Sequence, residues 1–453
     1  MKNDLDLFRS IAEDLMKAEE KEPVLRPEAP EALFTRLKIS LSEEGISDSE
    51  FEPILRDLVL NTPRTATRKF FNQLFGGRNS KASLGDLLAV LLNNSMYTYK
   101  VGGPMVGVEK ELLHKSAQLL GYPASADGTL APGGSMTNFM AMLMARDKAQ
   151  ETARSKGLDG AKLTLYTSRE SHYSIPKNAA FMGIGRDQIR YVNSDDQGKM
   201  RMDHLQELIS EDRANGHQPF LVIGTAGTTV MGAFDPMEGI AEICEKESIW
   251  FHVDGAYCGS VIFSDTYRPL IAGAERADSF SYNAHKMLGT PLSCSLILVK
   301  DKRWLYESFA NDADYLYQTD GDDYNLGKTS LQCGRRNDAF KFWTLWKSAG
   351  TKGLAEIVDR QFELANHALD YVREHPDYTV YSYENSLGIC FNYKDIPADK
   401  LCNQLYEAGE LMIGYGQFHG DEFVRLVTVN AGNEKEDIDR FFKLLEAFAD
   451  KMN

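Results

Sequence analysis

The feature that most constrains the fold is an alternation that sets in near residue 96, where short apolar runs begin to take turns with helix-patterned stretches. Residues 220–224 (FLVIG) are apolar without interruption and end on a glycine, as expected for a strand buried on both faces. Residues 162–167 (KLTLYT), 188–192 (QIRYV), 250–253 (WFHV) and 295–299 (SLILV) read as further strands. Between them, residues 135–146 (SMTNFMAMLMAR) carry apolar side chains on a helical period. Residues 236–247 read as a helix with its proline near the first turn, where the missing N–H costs nothing. Strands and helices alternating in this way predict an α/β fold, with a mainly parallel sheet covered on both faces.

The flanks read differently. Residues 1–95 predict a polar helical segment with proline-bearing breaks at 22–30 and 61–63, ahead of a large domain over 96–340. Residues 341–453 predict a small C-terminal α+β domain, with helices at 342–347 and 434–452 around short strands. The chain of 453 residues is 43% hydrophobic and 26% charged, enough to bury a large core. Its formal net charge of -16 argues against a nucleic-acid partner, because phosphate backbones call for basic patches. The six cysteines form no CxxC pair, which argues against a zinc site and a disulfide scaffold. No apolar run reaches membrane-spanning length, and the opening MKNDLDLFRSIAEDLMKAEEKE lacks the apolar core of a secretory signal. The expectation is a cytoplasmic protein with no membrane and no metal.

Three stretches carry chemistry. Residues 279–296 (SFSYNAHKMLGTPLSCSL) put Lys286 just past a strand; alone, such a lysine is usually a surface residue. Residues 250–259 (WFHVDGAYCG) put Asp254 directly after a buried strand, at the sheet end where α/β proteins bind ligands. Alone, it reads as well as a turn aspartate. Residues 131–139 (APGGSMTNF) open a strong helix with glycines and a serine, a start whose N–H groups and positive dipole end favour phosphate. Taken together the three gain meaning. A pyridoxal-phosphate enzyme needs a lysine for a Schiff base, a carboxylate for the pyridine nitrogen and an anion cradle, and this chain offers all three.

Further motifs carry a family resemblance. They are FFNQL (70–74), PGGSMTN (132–138), SHYSI (171–175), TAGTTVMGAFDP (225–236), HVDGA (252–256), NAHKMLG (283–289) and QCGRRNDAFKFW (332–343). With these, in this order, the chain resembles the group II pyridoxal-phosphate decarboxylases, on their glutamate and cysteine-sulfinate branch, over residues 70–425. The resemblance implies the aspartate-aminotransferase-like fold (fold type I) with pyridoxal 5'-phosphate as cofactor. It implies that Lys286 holds the cofactor covalently, that Asp254 pairs with the pyridine nitrogen, and that His172 stacks on the ring. Gly134 and Ser135 are implied to bind its phosphate, with Asn283 and His285 adding contacts and Ala256 packing beside the ring. Tyr315, in DADYLYQTDGDDY, matches a lid tyrosine that returns a proton to the substrate α-carbon. Arg425, in EFVRLVTV, matches an arginine that holds a substrate carboxylate, and Gln73 matches a pocket residue.

The implied activity is α-decarboxylation of glutamate, aspartate or cysteine sulfinate to the amine and CO2, in a homodimer with its active sites at the interface. Transamination or carbon–sulfur lyase chemistry on the same cofactor is the competing reading, against which FFNQL and QCGRR weigh. The intact set of Lys286, Asp254 and His172 weighs against a non-catalytic homologue. The family's HVDAAWGG stands here as HVDGAYCG, its NPHK as NAHK, and the His-Pro-Arg before FFNQ as Thr67, Arg68 and Lys69. None of these departures removes a catalytic group.

Overall fold

The computed structural model describes residues 2–311 and 322–452. The chain divides into two compact units: Arg78–Glu363 with Tyr383–Leu387, and Met1–Gly77 with Leu364–Ser382 and Gly388–Asn453.

The larger unit is built on a seven-stranded sheet of β1 (Asp127–Ala131), β2 (Leu163–Ser168), β3 (Ile189–Val192), β4 (Gln218–Thr225), β5 (Trp250–Gly255), β6 (Ser279–Asn283) and β7 (Ser295–Val299). Its order is β1-β7-β6-β5-β4-β2-β3. The pairs β2–β3, β2–β4, β4–β5 and β5–β6 are parallel, while β7 runs antiparallel to β6 and to β1. This is the large, mainly parallel sheet expected. Every residue of β5, β6 and β7 is buried, as is β4 beyond its first residue. Sheets covered on both faces need such continuous apolar strands. The helix Gly134–Ala149 lays Met140, Ala141 and Met144 in one core cluster with Leu165, Leu221, Ile223 and Trp250.

Register decides which residues meet. Thr225 stands opposite Asp254, and Asp254 opposite Ser281, so these side chains gather at the carboxyl ends of parallel strands. Ser295 stands between Ala131 and Asn283, which brings the end of β1, and the helix that follows it, to the end of β6. Behind this edge, Arg335 Nη1 and Nη2 reach both oxygens of Glu109 at 3.0 and 2.8 Å, and Nη1 also donates to the Leu130 carbonyl at 3.3 Å. Both charges are buried, at 5% and 0% exposure. Glu109→Ala leaves an uncompensated guanidinium in the core and is expected to cost about 3–5 kcal/mol, read as a lowered denaturant midpoint. An unchanged midpoint would show that the pair adds nothing to stability.

The smaller unit holds a four-stranded antiparallel sheet in the order β10-β11-β9-β8, from β8 (Tyr378–Val380), β9 (Gly388–Tyr393), β10 (Gly414–Phe418) and β11 (Asp421–Val427). The helix Lys435–Ala449 starts with a capping box between Glu434 and Asp437. The segment with the FFNQL motif joins this sheet. Phe71 N donates to Met412 O at 2.8 Å, Val427 N donates to Phe71 O at 3.1 Å, and the Phe71 ring meets Phe441 edge-on at 5.0 Å.

Candidate active site

One cavity of about 200 Å³ in the larger unit is lined by Gly134, Ser135, His172, Asp254, Ala256, Asn283, His285 and Lys286, together with Asn138, Tyr173, Thr225, Gly227, Thr229 and Tyr257. All the residues expected from the sequence to touch the cofactor therefore meet. The cavity opens where β4, β5 and β6 end, the position in α/β sheets where ligands bind.

The sheet and its caps fix each side chain. Lys286 lies three residues beyond β6 in a tight turn, with its N–H on Asn283 O at 3.1 Å. Its Nζ stands 5.9 Å from the centroid of the Tyr257 ring. Asp254, 3% exposed, accepts from Asn138 Nδ2 at 2.7 Å on Oδ2 and from the Ala256 N–H at 3.0 Å on Oδ1. His172 Nδ1 accepts from the Ser174 N–H at 3.2 Å and sits 2.8 Å from Ser174 Oγ. Burial favours the uncharged His172 ring and holds its pKa below the ordinary value, against the opposing pull of Asp254. The exposed Tyr173 ring lies against it, centroids 4.2 Å apart. Burial also pushes His285 down to about 4; its Nδ1 accepts from the Cys294 N–H at 2.9 Å.

The phosphate end is shaped by glycine. Gly133 caps the helix Gly134–Ala149 at φ +116°, a backbone conformation that disfavours other residues. A Cβ on Gly134 would stand 2.9 Å from Ala256 Cβ and 3.1 Å from Asn283 Nδ2. The first N–H groups of the helix have no acceptor within it, so they point a positive end at the cavity. Asn283 Oδ1 and Thr225 Oγ1 are buried with no hydrogen-bond partner among the described residues, polar atoms that a bound polar group can satisfy. An anion cradle, a carboxylate, a ring-sized space and a lysine thus fit pyridoxal 5'-phosphate.

Gln73 and Arg425 belong to the smaller unit, where they are near neighbours. Half-buried Arg425, on β11, donates from Nη2 to the carbonyl of Asn72 at 2.9 Å, the residue just before Gln73. Tyr315 lies outside the described residues.

The family departures have local causes. Ala284 keeps an N–H that a proline lacks and donates it to Cys294 O at 2.9 Å. A Cβ at Gly255 would come within 2.5 Å of Ser281 O and 2.8 Å of Gly259 Cα, so the family's alanine has no room. Arg68 Nη1 pairs with Asp437 Oδ2 at 2.7 Å, at the start of the helix Lys435–Ala449.

A second cavity of about 320 Å³ includes Asp235 and residues 383–386. Burial raises Asp235 to about 7, but its oxygens already accept from the Met200 and Thr225 N–H groups at 2.7 and 2.8 Å. Asp235 braces the end of β4 and is not poised for chemistry. Among the cavity residues the sequence reading passed over, Asn138 carried a signal. It follows Gly134 by four positions, one helical turn, so it faces the same way.

Sheet, cavity and cradle together define a pyridoxal-phosphate enzyme of fold type I. Residues 41–394 match the pyridoxal-dependent decarboxylase conserved domain, and the chain belongs to that family. It is 36% identical to the acidic amino acid decarboxylase GADL1 of Homo sapiens, over 95% of this chain and 87% of that protein. It is 35% identical to the cysteine sulfinic acid decarboxylase of Mus musculus, over 97% and 94% of the two chains. The crystal structure of mouse CSAD superposes with a TM-score of 0.93 at 33% identity, covering 98% of this chain and 97% of that one. The protein is a pyridoxal-phosphate-dependent amino acid decarboxylase.

Proposed function

We propose that the protein removes the α-carboxylate of a small acidic L-amino acid (glutamate, aspartate or cysteine sulfinate) as CO2 and leaves the amine. The observation that carries this reading is the cavity holding Lys286, Asp254 and His172 together, in a chain whose relatives bear the names of acidic amino acid decarboxylases. When bound, pyridoxal 5'-phosphate supplies a ring that accepts the electrons of the breaking Cα–carboxylate bond. There Lys286 would offer the amine that holds the cofactor, Asp254 would keep a proton at the pyridine nitrogen, and His172 would bound the ring from one face. The helix start at Gly134 and Ser135, with Asn283 and His285, anchors the phosphate, and Ala256 leaves the ring edge room.

Arg425 is proposed to hold the side-chain acid of the substrate, with Gln73 beside it. Its support is the match of EFVRLVTV to the family and the place of this half-buried guanidinium beside the FFNQL segment, a group that pairs well with carboxylates. Arg425→Gln should raise KM for the acidic substrate about ten- to a hundredfold with little change in kcat. An unchanged KM would remove Arg425 from the substrate site. Tyr315 is proposed to return the proton to the substrate α-carbon after CO2 leaves.

We propose a homodimer working in the cytoplasm. The helix Ser80–Leu92 presents Leu84, Leu87, Leu88 and Leu91 to solvent, an apolar face that a second copy can cover. No helix among the described residues is long and apolar enough to cross a membrane. The deciding experiment is CO2 and amine release from a panel of glutamate, aspartate, cysteine sulfinate and an aromatic amino acid. Turnover confined to the acidic members supports the proposal, and turnover of the aromatic one overturns it.

A further inference from the structure

Behind Asp254 lies a buried chain of hydrogen bonds whose two ends fix the direction of every bond in it. At one end, Trp250 Nε1, which can only donate, meets Ser279 Oγ at 2.9 Å. Ser279 Oγ lies 2.9 Å from His252 Nδ1, and His252 Nε2 lies 3.1 Å from Asn138 Oδ1. Asn138 Nδ2 then reaches Asp254 Oδ2 at 2.7 Å. A carboxylate accepting on both oxygens needs the NH2 group of Asn138 turned toward it. Asn138 Oδ1 must then face His252, whose Nε2 carries the ring proton. Its Nδ1 is left to accept the Ser279 hydroxyl proton. Each step has one consistent choice, and no amide flip or ring flip satisfies the chain.

Burial pushes His252 down to about 4, in keeping with a neutral ring of one tautomer. Trp250, His252, Ser279 and Asn138 are each 1% exposed or less, so water does not compete for these bonds.

The same Asn138 amide serves a second branch. Its Nδ2 also lies 3.3 Å from Ser174 Oγ, which sits 2.8 Å from His172 Nδ1. One NH2 group therefore reaches both the carboxylate assigned to the ring nitrogen and, through Ser174, the imidazole assigned to the ring face.

We infer that Asn138, locked in orientation by His252, is a positioning residue that sets Asp254 and His172 together for the cofactor ring. This rests on the roles proposed above for Asp254 and His172. The device couples the edge and the face of the ring site: a displaced Asn138 moves both groups, while an altered Ser174 moves only His172. It also assigns work to the histidine of HVDGA, which does not line the cavity itself.

The test titrates apo-protein with pyridoxal 5'-phosphate and records the visible circular dichroism of the bound cofactor, which reports ring orientation. The variants are Asn138→Asp, His252→Phe, His252→Gln and Asp254→Ala. Asn138→Asp keeps size but sets an acceptor against an acceptor, so it remains informative if His252→Phe does not fold. Asn138→Asp and His252→Phe should bind the cofactor roughly ten- to a hundredfold more weakly, with a diminished dichroic band. His252→Gln keeps a donor toward Asn138 and should regain most of the affinity. Parental affinity and dichroism in Asn138→Asp overturn the inference, as does a His252→Gln no better than His252→Phe. Asp254→Ala separates the two levels of the argument. Parental affinity there unseats the reading of Asp254 itself. A weakened Asp254→Ala beside a parental Asn138→Asp unseats the positioning role alone.

Discussion

Lys286→Ala should lower kcat by at least about a thousandfold and abolish the visible band of covalently held cofactor. Alanine keeps the backbone bonds of the turn, Lys286 N to Asn283 O at 3.1 Å and Gly289 N to Lys286 O at 3.2 Å. What is lost is the amine. Lys341 is a useful contrast, because it is fully buried and its Nζ lies 3.1 Å from Asp86, 3.0 Å from Asp338 and 3.2 Å from the Ser293 carbonyl. That nitrogen is engaged by two carboxylates and a carbonyl, and Lys341 does not line the cavity. Lys286 instead stands on the cavity wall near the face of Tyr257. Borohydride reduction followed by peptide mapping should therefore place the cofactor on the peptide containing Lys286. Recovery of the label on any other lysine would sink the assignment.

Much of this site could be read in the sequence because α/β folds concentrate chemistry where local pattern is strongest. Asp254 ends an apolar strand, Lys286 follows another, and Gly133 and Gly134 open a helix; each position is marked by its own neighbours. The run at 220–224 was seen as a strand because nothing polar interrupts it, and the structure extends it to Gln218–Thr225. β1 (Asp127–Ala131) went unread. Its sequence, DGTLA, has no apolar run, and it is a strand because β7 pairs with it, register by register. Tertiary partners, not local propensity, make such a strand. The His252–Asn138–Asp254 chain was hidden for the same reason. Asn138 is distant in sequence from His252 and Asp254 and meets them only when the helix Gly134–Ala149 packs on β5. The same holds for Arg68, one of the departures just ahead of FFNQL, whose guanidinium pairs with the sequence-distant Asp437.

Asp254→Asn should reduce kcat about a hundred- to a thousandfold, and Asp254→Ala at least as much, the loss expected when a fixed charge is removed from a developing charge in a dry site. The two variants separate shape from charge. Asparagine fills the same volume and its Oδ1 can still accept from the Ala256 N–H or from Asn138 Nδ2, the two donors that meet the carboxylate at 3.0 and 2.7 Å. Its NH2 group cannot accept the remaining bond, and it carries no negative charge to keep the pyridine nitrogen protonated. An unprotonated ring is a weaker electron sink, so the loss should fall on kcat more than on KM, because the missing interaction grows as the Cα–carboxylate bond breaks. Apo-protein melting should move little by comparison, since the substitution leaves the packing of β5 unaltered. If Asp254→Asn turned over near the parental rate, the carboxylate would be a turn residue that merely caps the Ala256 N–H. The hydrogen-bond chain behind it would then serve the fold and not the reaction.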